Sequence, residues 1–174
     1  VEIGTVQEDT LLSLLNTTPV VDGVQQDLLA SPEAARRWLL EHGGTGSVRE
    51  QRAVRSVRDA LQGLVRGESE PGSLAAFVSG VSRRPVVGDD GVTWRLDAPA
   101  DRRTAALAVL AWSHVQQEKP GRLRPCANPD CRLFLLDRSK ANRARWCSMT
   151  VCGNRMKARR HYSRVRDTTT DGAG

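Results

Sequence analysis

No apolar run in the 174 residues approaches the ~18 that a membrane-spanning helix needs. No charged segment followed by an apolar one opens the chain in the manner of a secretory leader, so a cytoplasmic protein with no membrane partner is the expectation. Lysine is scarce: Lys119, Lys140 and Lys157 are the only three among 26 basic residues. Aromatics amount to 4%, with one tyrosine and two phenylalanines, which leaves little material for the stacking platforms that RNA-binding modules use. Catalytic signatures are missing as well. There is no Gly-rich phosphate loop, no nucleophile elbow and no metal-binding histidine pair, and His42, His114 and His161 are scattered. An enzyme is not expected.

What is present is unevenly distributed. The formal net charge is +6. Between Arg122 and Arg166, 13 basic residues face only Asp130 and Asp137, a local +11, and the remainder carries −5. All four cysteines fall inside that basic segment. Two units are therefore expected, a mainly helical domain over 1–120 and a small basic module over 121–166, followed by a disordered tail at 167–174.

The first unit reads as helices with one hairpin. Leu11, Leu12, Leu14 and Leu15 mark a helix that ends before Pro19. Ser31-Pro32-Glu33 opens a second, closed by Gly43-Gly44. Ser47 opens a longer helix, in which Val54, Val57, Leu61, Leu64 and Val65 recur at three- and four-residue steps. A short helix surrounds Leu74, Phe77, Val78 and Val81. Pro85–Val87 and Val92–Leu96 flank Gly88-Asp89-Asp90-Gly91 as a hairpin with a four-residue loop, and a last helix runs from about Ala100 to Glu118. Arg49, Arg52, Arg55 and Arg58 on the long helix read first as a solvated face paired with Glu50 and Asp59. The other reading is a pocket for a small anionic effector formed by Arg55, Arg58 and Asn16.

In the basic module, Cys126-x4-Cys131 and Cys147-x4-Cys152 stand fifteen residues apart. Two short-spaced thiol pairs around a hairpin-sized insert are the pattern of a closed tetrahedral site for one structural Zn²⁺, with four thiolates at about 2.3 Å. The alternative, two disulfides, requires an oxidising compartment. A module of ~45 residues buries too little to fold on its own, which again asks for a metal. Its candidate core is Leu133–Leu136, Trp146, Val151, Met156, Tyr162 and Val165. The fold class is thus α+β, mainly helical: a helical N-terminal domain with a β-hairpin, plus a C-terminal four-cysteine zinc module built as a knuckle followed by a helix.

Cys152-Gly153-Asn154-Arg155, with both x4 knuckles, Trp146 before the third cysteine and a basic helix after the motif, resembles the CGNR zinc fingers from about Leu123 to Val165. Upstream, Leu15-Asn16-Thr17, Asp27–Pro32 leading into Trp38-Leu39, and the Arg-rich helix from Val48 resemble the ABATE domain that accompanies that finger. Where relatives often carry a basic residue soon after the Asn-Thr pair, this chain has Pro19-Val20-Val21-Asp22. The resemblance implies a stress-related transcription regulator with a DNA-binding finger.

On a helix, Lys157, Arg160, His161 and Arg164 share one face, with Arg159 and Arg166 flanking, and Val151, Ala158, Tyr162 and Val165 share another with Arg155. The first face is the candidate contact with double-stranded DNA. Gly153 is assigned a close backbone approach to the metal shell, and Asn154 and Arg155 are assigned to holding the knuckle together. Arg138, Lys140, Arg143 and Arg145, in the insert between the cysteine pairs, are candidate phosphate contacts. An RNA-binding or protein-interaction zinc module is the alternative. A single finger binds weakly, so a homodimer formed through the N-terminal domain completes the expectation.

Overall fold

The computed structural model describes residues 5–89 and 91–170, with side chains from Gln7 to Ser163. Helix α1 spans Thr5–Leu15. It ends in a tight turn in which the Thr17 hydroxyl donates to the Leu14 carbonyl at 2.8 Å. A small hairpin absent from the sequence reading follows, β1 (Val20–Val21) paired with β2 (Val24–Gln25). Its turn residues, Asp22 at φ 51° and Gly23 at φ 79°, are both left-handed, the requirement of a tight hairpin turn. The Asp-Gly dipeptide was its only signal, and two-residue strands are too short to show alternation.

Helix α2 (Pro32–Glu41) begins as expected, with Ser31 accepting from the Ala34 N–H and Pro32 in the first turn. Helix α3 (Val48–Arg66) is capped by Ser47 and stops at Gly67, φ 76°. Of the two acids expected to pair with its arginines, Asp59 does so with Arg58 at 2.9 Å, but Glu50 does not. The carboxylate is buried, 1% exposed, and accepts from the Thr45 and Gly46 N–H groups, the Thr45 hydroxyl and the Thr104 hydroxyl at 2.7–2.9 Å. Three residues after the cap, a glutamate is placed to take up the orphan donors at the helix start, and here it also ties that start to the last helix of the domain.

A 3-10 turn (Pro71–Leu74) and α4 (Ala75–Val78) lead to β3 (Ser82–Gly88) and β4 (Gly91–Asp97). Their register pairs Gly88 with Gly91, so the strands absorb both glycines and the loop has two residues, not the expected four. Helix α5 is Arg103–Glu118, starting three residues later than read from the sequence. Then β5 (Leu123–Pro125) pairs antiparallel with β6 (Phe134–Leu136). A π-helical turn at Met149–Gly153 runs into α6, Asn154–Thr170. That helix continues four residues into the segment expected to be disordered; 171–174 lie outside the described residues.

The core is formed by α1, α2, α3 and α5, with Leu11, Leu14, Leu15, Leu39, Val54, Val57, Leu61 and Val115 at 2% exposure or less. It does not stop at residue 120. Leu123 and Phe134, from the hairpin of the cysteine-rich segment, belong to the same buried cluster. At about 1.5–3 kcal/mol for each buried side chain of this size, the two join the segments by more than a linker.

Candidate metal centre and nucleic-acid interface

The four cysteines converge. Their sulfur atoms all lie within 4.8 Å of one another, and the Cys131–Cys147 and Cys147–Cys152 separations are 3.7 and 3.6 Å. A tetrahedron with ligands about 2.3 Å from its centre has edges of about 3.8 Å, so the cage has the dimensions of a zinc site. All four are free thiols, with Cys126 and Cys152 buried and the other two half-buried. Burial raises the Cys131 thiol to about 11, helped by the charge of Cys126. Burial and the other three thiols push Cys147 up further. Burial acts in the same sense on Cys152, but the Asn128 amide and the other thiols outweigh it and hold that group below the ordinary 9.0. Four thiols this close resist ionising in one another's company, and a bound dication would offset the negative charge that ionisation brings. The donor set fits one structural zinc ion and leaves no position open for a reacting ligand.

Asn128, missed in the sequence, organises the first knuckle. It is fully buried, its amide donates to the Cys152 sulfur at 3.5 Å, and its side-chain oxygen accepts from the Asp130 N–H at 3.3 Å. Its place two residues after Cys126, where an asparagine readily bonds the backbone two positions on, was the available signal. In the second knuckle Ser148 caps the turn through the Val151 N–H. A Cβ at Gly153 would lie 2.9 Å from the Met149 sulfur and 3.3 Å from the Trp146 ring. Met149 is flexible and 55% exposed, so its end can give way, and the tighter constraint on this position is the Trp146 ring. Asn154 bonds the Thr150 carbonyl at 3.2 Å, within the knuckle as expected. Arg155 does not hold the knuckle. It is exposed and has no hydrogen-bond or ion-pair partner among the described residues. The Cys152 sulfur and the Thr150 and Ser148 carbonyls are bonded instead by Asn128, Asn154 and the Gly153 N–H.

A second unforeseen organiser is Asp137. Buried within the insert, it accepts from the Ser139 and Ala144 N–H groups, both at 2.8 Å, and from Arg124 at 2.7 Å. The Ser139 contacts, then the Ala144 N–H and the Arg124 charge, outweigh burial and lower its carboxyl to about 2. The insert is consequently an ordered loop and not a floppy basic tether.

The predicted contact residues fall into three groups. Arg138 is tied back to Asp9 of α1, with Glu8 3.7 Å away, and Arg159 is tied to Asp130. Lys140, Arg143, Arg145, Lys157 and Arg160 are exposed and without an acidic partner among the described residues. The side chains of Arg164 and Arg166 lie outside the described residues. The expected apolar face of α6 is not buried: Val151 is 55% and Tyr162 69% exposed. From Arg155 to Ser163 every residue except Met156 is exposed, so the helix is rooted at its first turn. Phe134 and Leu136, expected in its partner core, are instead committed to the core of the helical domain.

The candidate effector residues part company. Asn16 lines a cavity of about 440 Å³ between α1 and α2, together with Leu28, Leu29, Trp38 and Arg37. Its amide is already engaged with β6, donating to the Phe134 carbonyl at 3.2 Å and accepting from the Phe134 N–H at 2.7 Å. Arg55 and Arg58 do not border that cavity. Arg55 donates to the Leu29 carbonyl at 2.8 Å. Arg58, 4% exposed, grips both Asp27 oxygens at 2.6 and 3.0 Å.

A helical domain joined to a closed four-thiolate centre defines a zinc-binding protein. Family comparison agrees in both parts. The CGNR zinc finger model matches residues 122–165, and the ABATE model, described as "Putative stress-induced transcription regulator", matches 8–116. The chain belongs to the ABATE family, with a CGNR zinc finger at its C-terminal side. No curated protein matches the sequence. Among the described residues no helix is long and apolar enough to cross a membrane.

Proposed function

We propose that the protein is a DNA-binding transcriptional regulator that works in the cytoplasm as a binding protein and not as an enzyme. The observation that carries this reading is α6, a helix rooted on the zinc knuckle with Lys157 and Arg160 exposed and unpaired on one face. An unencumbered helix about 10–12 Å across fits the major groove of B-DNA, and cations on it supply the phosphate term of affinity. The helical domain acts as sensor or dimerisation unit. Its cavity at Asn16, where Arg37 and Glu41 stand at the edge of a largely apolar lining, is the place for a small effector. A ligand that draws on Asn16 also draws on Phe134, and hence on the finger.

Exposed Tyr162, beside His161 at 6.0 Å between ring centroids, gives the RNA alternative one aromatic that the sequence reading had placed in the core. A single ring is not a platform, and the duplex reading stands ahead. Selection of bound sequences from a random duplex pool, with structured RNA as competitor, tests both. A recurring duplex motif and a steep salt dependence are expected. Preferential capture of the RNA, or no salt dependence, overturns the proposal.

A further inference from the structure

A second basic feature shares no residue with α6. A cavity of about 630 Å³ opens between the first knuckle and the segment 142–145, lined by Arg124, Pro125, Ala127, Asn142, Arg143 and Arg145. Its walls are held by internal bonds. The Ala127 N–H donates to the Arg145 carbonyl at 2.8 Å, and the Cys147 N–H to the Cys126 sulfur at 3.4 Å, so the segment is fastened across the knuckle that the metal closes. Asn142, left-handed at φ 48°, is pinned by Arg124, which bonds its side-chain oxygen at 2.9 Å and its carbonyl at 3.3 Å. Exposure alternates along the next residues, with Ala144 half-buried between Arg143 and Arg145, as in an extended chain that sends both arginines the same way. Arg145 also lies over the Trp146 ring, 5.2 Å from its centroid, which restricts where its guanidinium can go.

The charge balance of this cavity is one-sided. The only acids between Arg122 and Arg166 are Asp130 and Asp137. Asp130 is engaged by Arg159, and Asp137 is buried behind Arg124. Arg143 and Arg145 thus face the cavity with no carboxylate to answer them, and the Arg124 Nε is buried without a hydrogen-bond partner. Planar guanidinium groups that no carboxylate answers suit the oxygens of a phosphate, which accept two donors from one fork.

We propose that this cavity binds a backbone phosphodiester of nucleic acid, with Arg143 and Arg145 as the contacts and Arg124 as a fixed cation in the wall. The inference rests on the nucleic-acid reading of α6 and adds a second, zinc-dependent anchor to it. Phosphate chemistry alone would also admit a free nucleotide, so the test has two arms. Duplex DNA is titrated across salt against the zinc-loaded wild type, the R143Q/R145Q variant, R143K/R145K and K157Q/R160Q, with zinc content and far-UV circular dichroism confirming each fold. Loss of two phosphate contacts lowers the salt slope by about two, so R143Q/R145Q is expected to show that drop, and R143K/R145K to recover the slope but only part of the affinity. In the second arm deoxyadenosine monophosphate is titrated into the wild type, where no saturation below millimolar concentration is expected. An unchanged slope in R143Q/R145Q, with K157Q/R160Q reduced, overturns this site and leaves the α6 reading intact. Absence of DNA binding in the wild type overturns the α6 reading first. Tight nucleotide binding that R143Q/R145Q abolishes, without effect on DNA, overturns the polynucleotide assignment.

Discussion

Arg58 and Arg160 are the same residue type on two helices of one chain, and they are used in opposite ways. Arg58 is 4% exposed and clamps Asp27, which fastens the loop before α2 to the middle of α3. Arg160 stands on a helix with hardly a covered side chain and no partner among the described residues. The helical domain consumes its charges internally: Glu50 on the α3 start, Glu8 gripping Lys119 at 2.6 and 2.7 Å, Asp27 on Arg58. The finger leaves most of its cations outward and lets a metal do the work of a core. Sharing of charge with the protein's own interior is what separates a structural arginine from one available to a ligand.

The difference would break most severely at the metal. Chelation removes a contribution of the order of 10 kcal/mol in isolated fingers, and here it also frees Leu123 and Phe134 from the common core. Burial of those two is worth about 3–6 kcal/mol together, comparable to the whole stability of a small domain. Calorimetry of the chelated protein is therefore expected to show the helical domain melting earlier as well. A helical transition unmoved by chelation would show that the two regions are independent after all.

Next in size is the contrast between two aromatics of the finger. Phe134→Ala removes a ring that is 1% exposed and sits under Arg66, 4.6 Å from its centroid, so a loss of about 3–5 kcal/mol is expected in urea denaturation with zinc retained. Tyr162→Ala, at 69% exposure, is expected to fall within about 0.5 kcal/mol of the wild type. Comparable losses would mean that α6 folds back on a surface in solution.

Smaller again is the Asp27–Arg58 clamp. Arg58→Ala is expected to cost about 2 kcal/mol, below the usual range for a broken buried pair because Asp27 is one-third exposed. Burial would raise the Asp27 carboxyl, but the Arg58 and Leu29 hydrogen bonds and the Arg58 and Arg55 charges hold it below its ordinary 3.8. With the native value depressed, the unfolded chain takes up the proton first. The stability is present above about pH 4 and lost as pH falls through the native value. Acid denaturation of Asp27→Asn measures this, since its profile is expected to be flatter below pH 4 than that of the wild type.

Several features were legible without coordinates because their causes are local. Ser31 and Ser47 cap because a side-chain oxygen reaches the next turn, and Gly43 closes α2 because glycine takes φ 79° without strain. The cysteine spacing announced the cage, since two thiols per knuckle is a property of short loops. The fate of individual charges was not legible. Glu50 looked like a surface partner for neighbouring arginines, and only the arrival of Thr104 from α5, 54 positions away, made it an interior acceptor. Arg138 looked free until Asp9 met it across 129 positions.

The sequence by itself determined the helix limits to within a few residues, the metal donor set and the concentration of positive charge around it, because each depends on neighbours a turn or a knuckle apart. Tertiary structure decided which apolar residues the finger could keep. Phe134 and Leu123 went to the helical core, where burial is complete, and α6 was left without a covering layer. It also decided which cations remained for a partner, since an ion pair forms only where folding brings a carboxylate within reach.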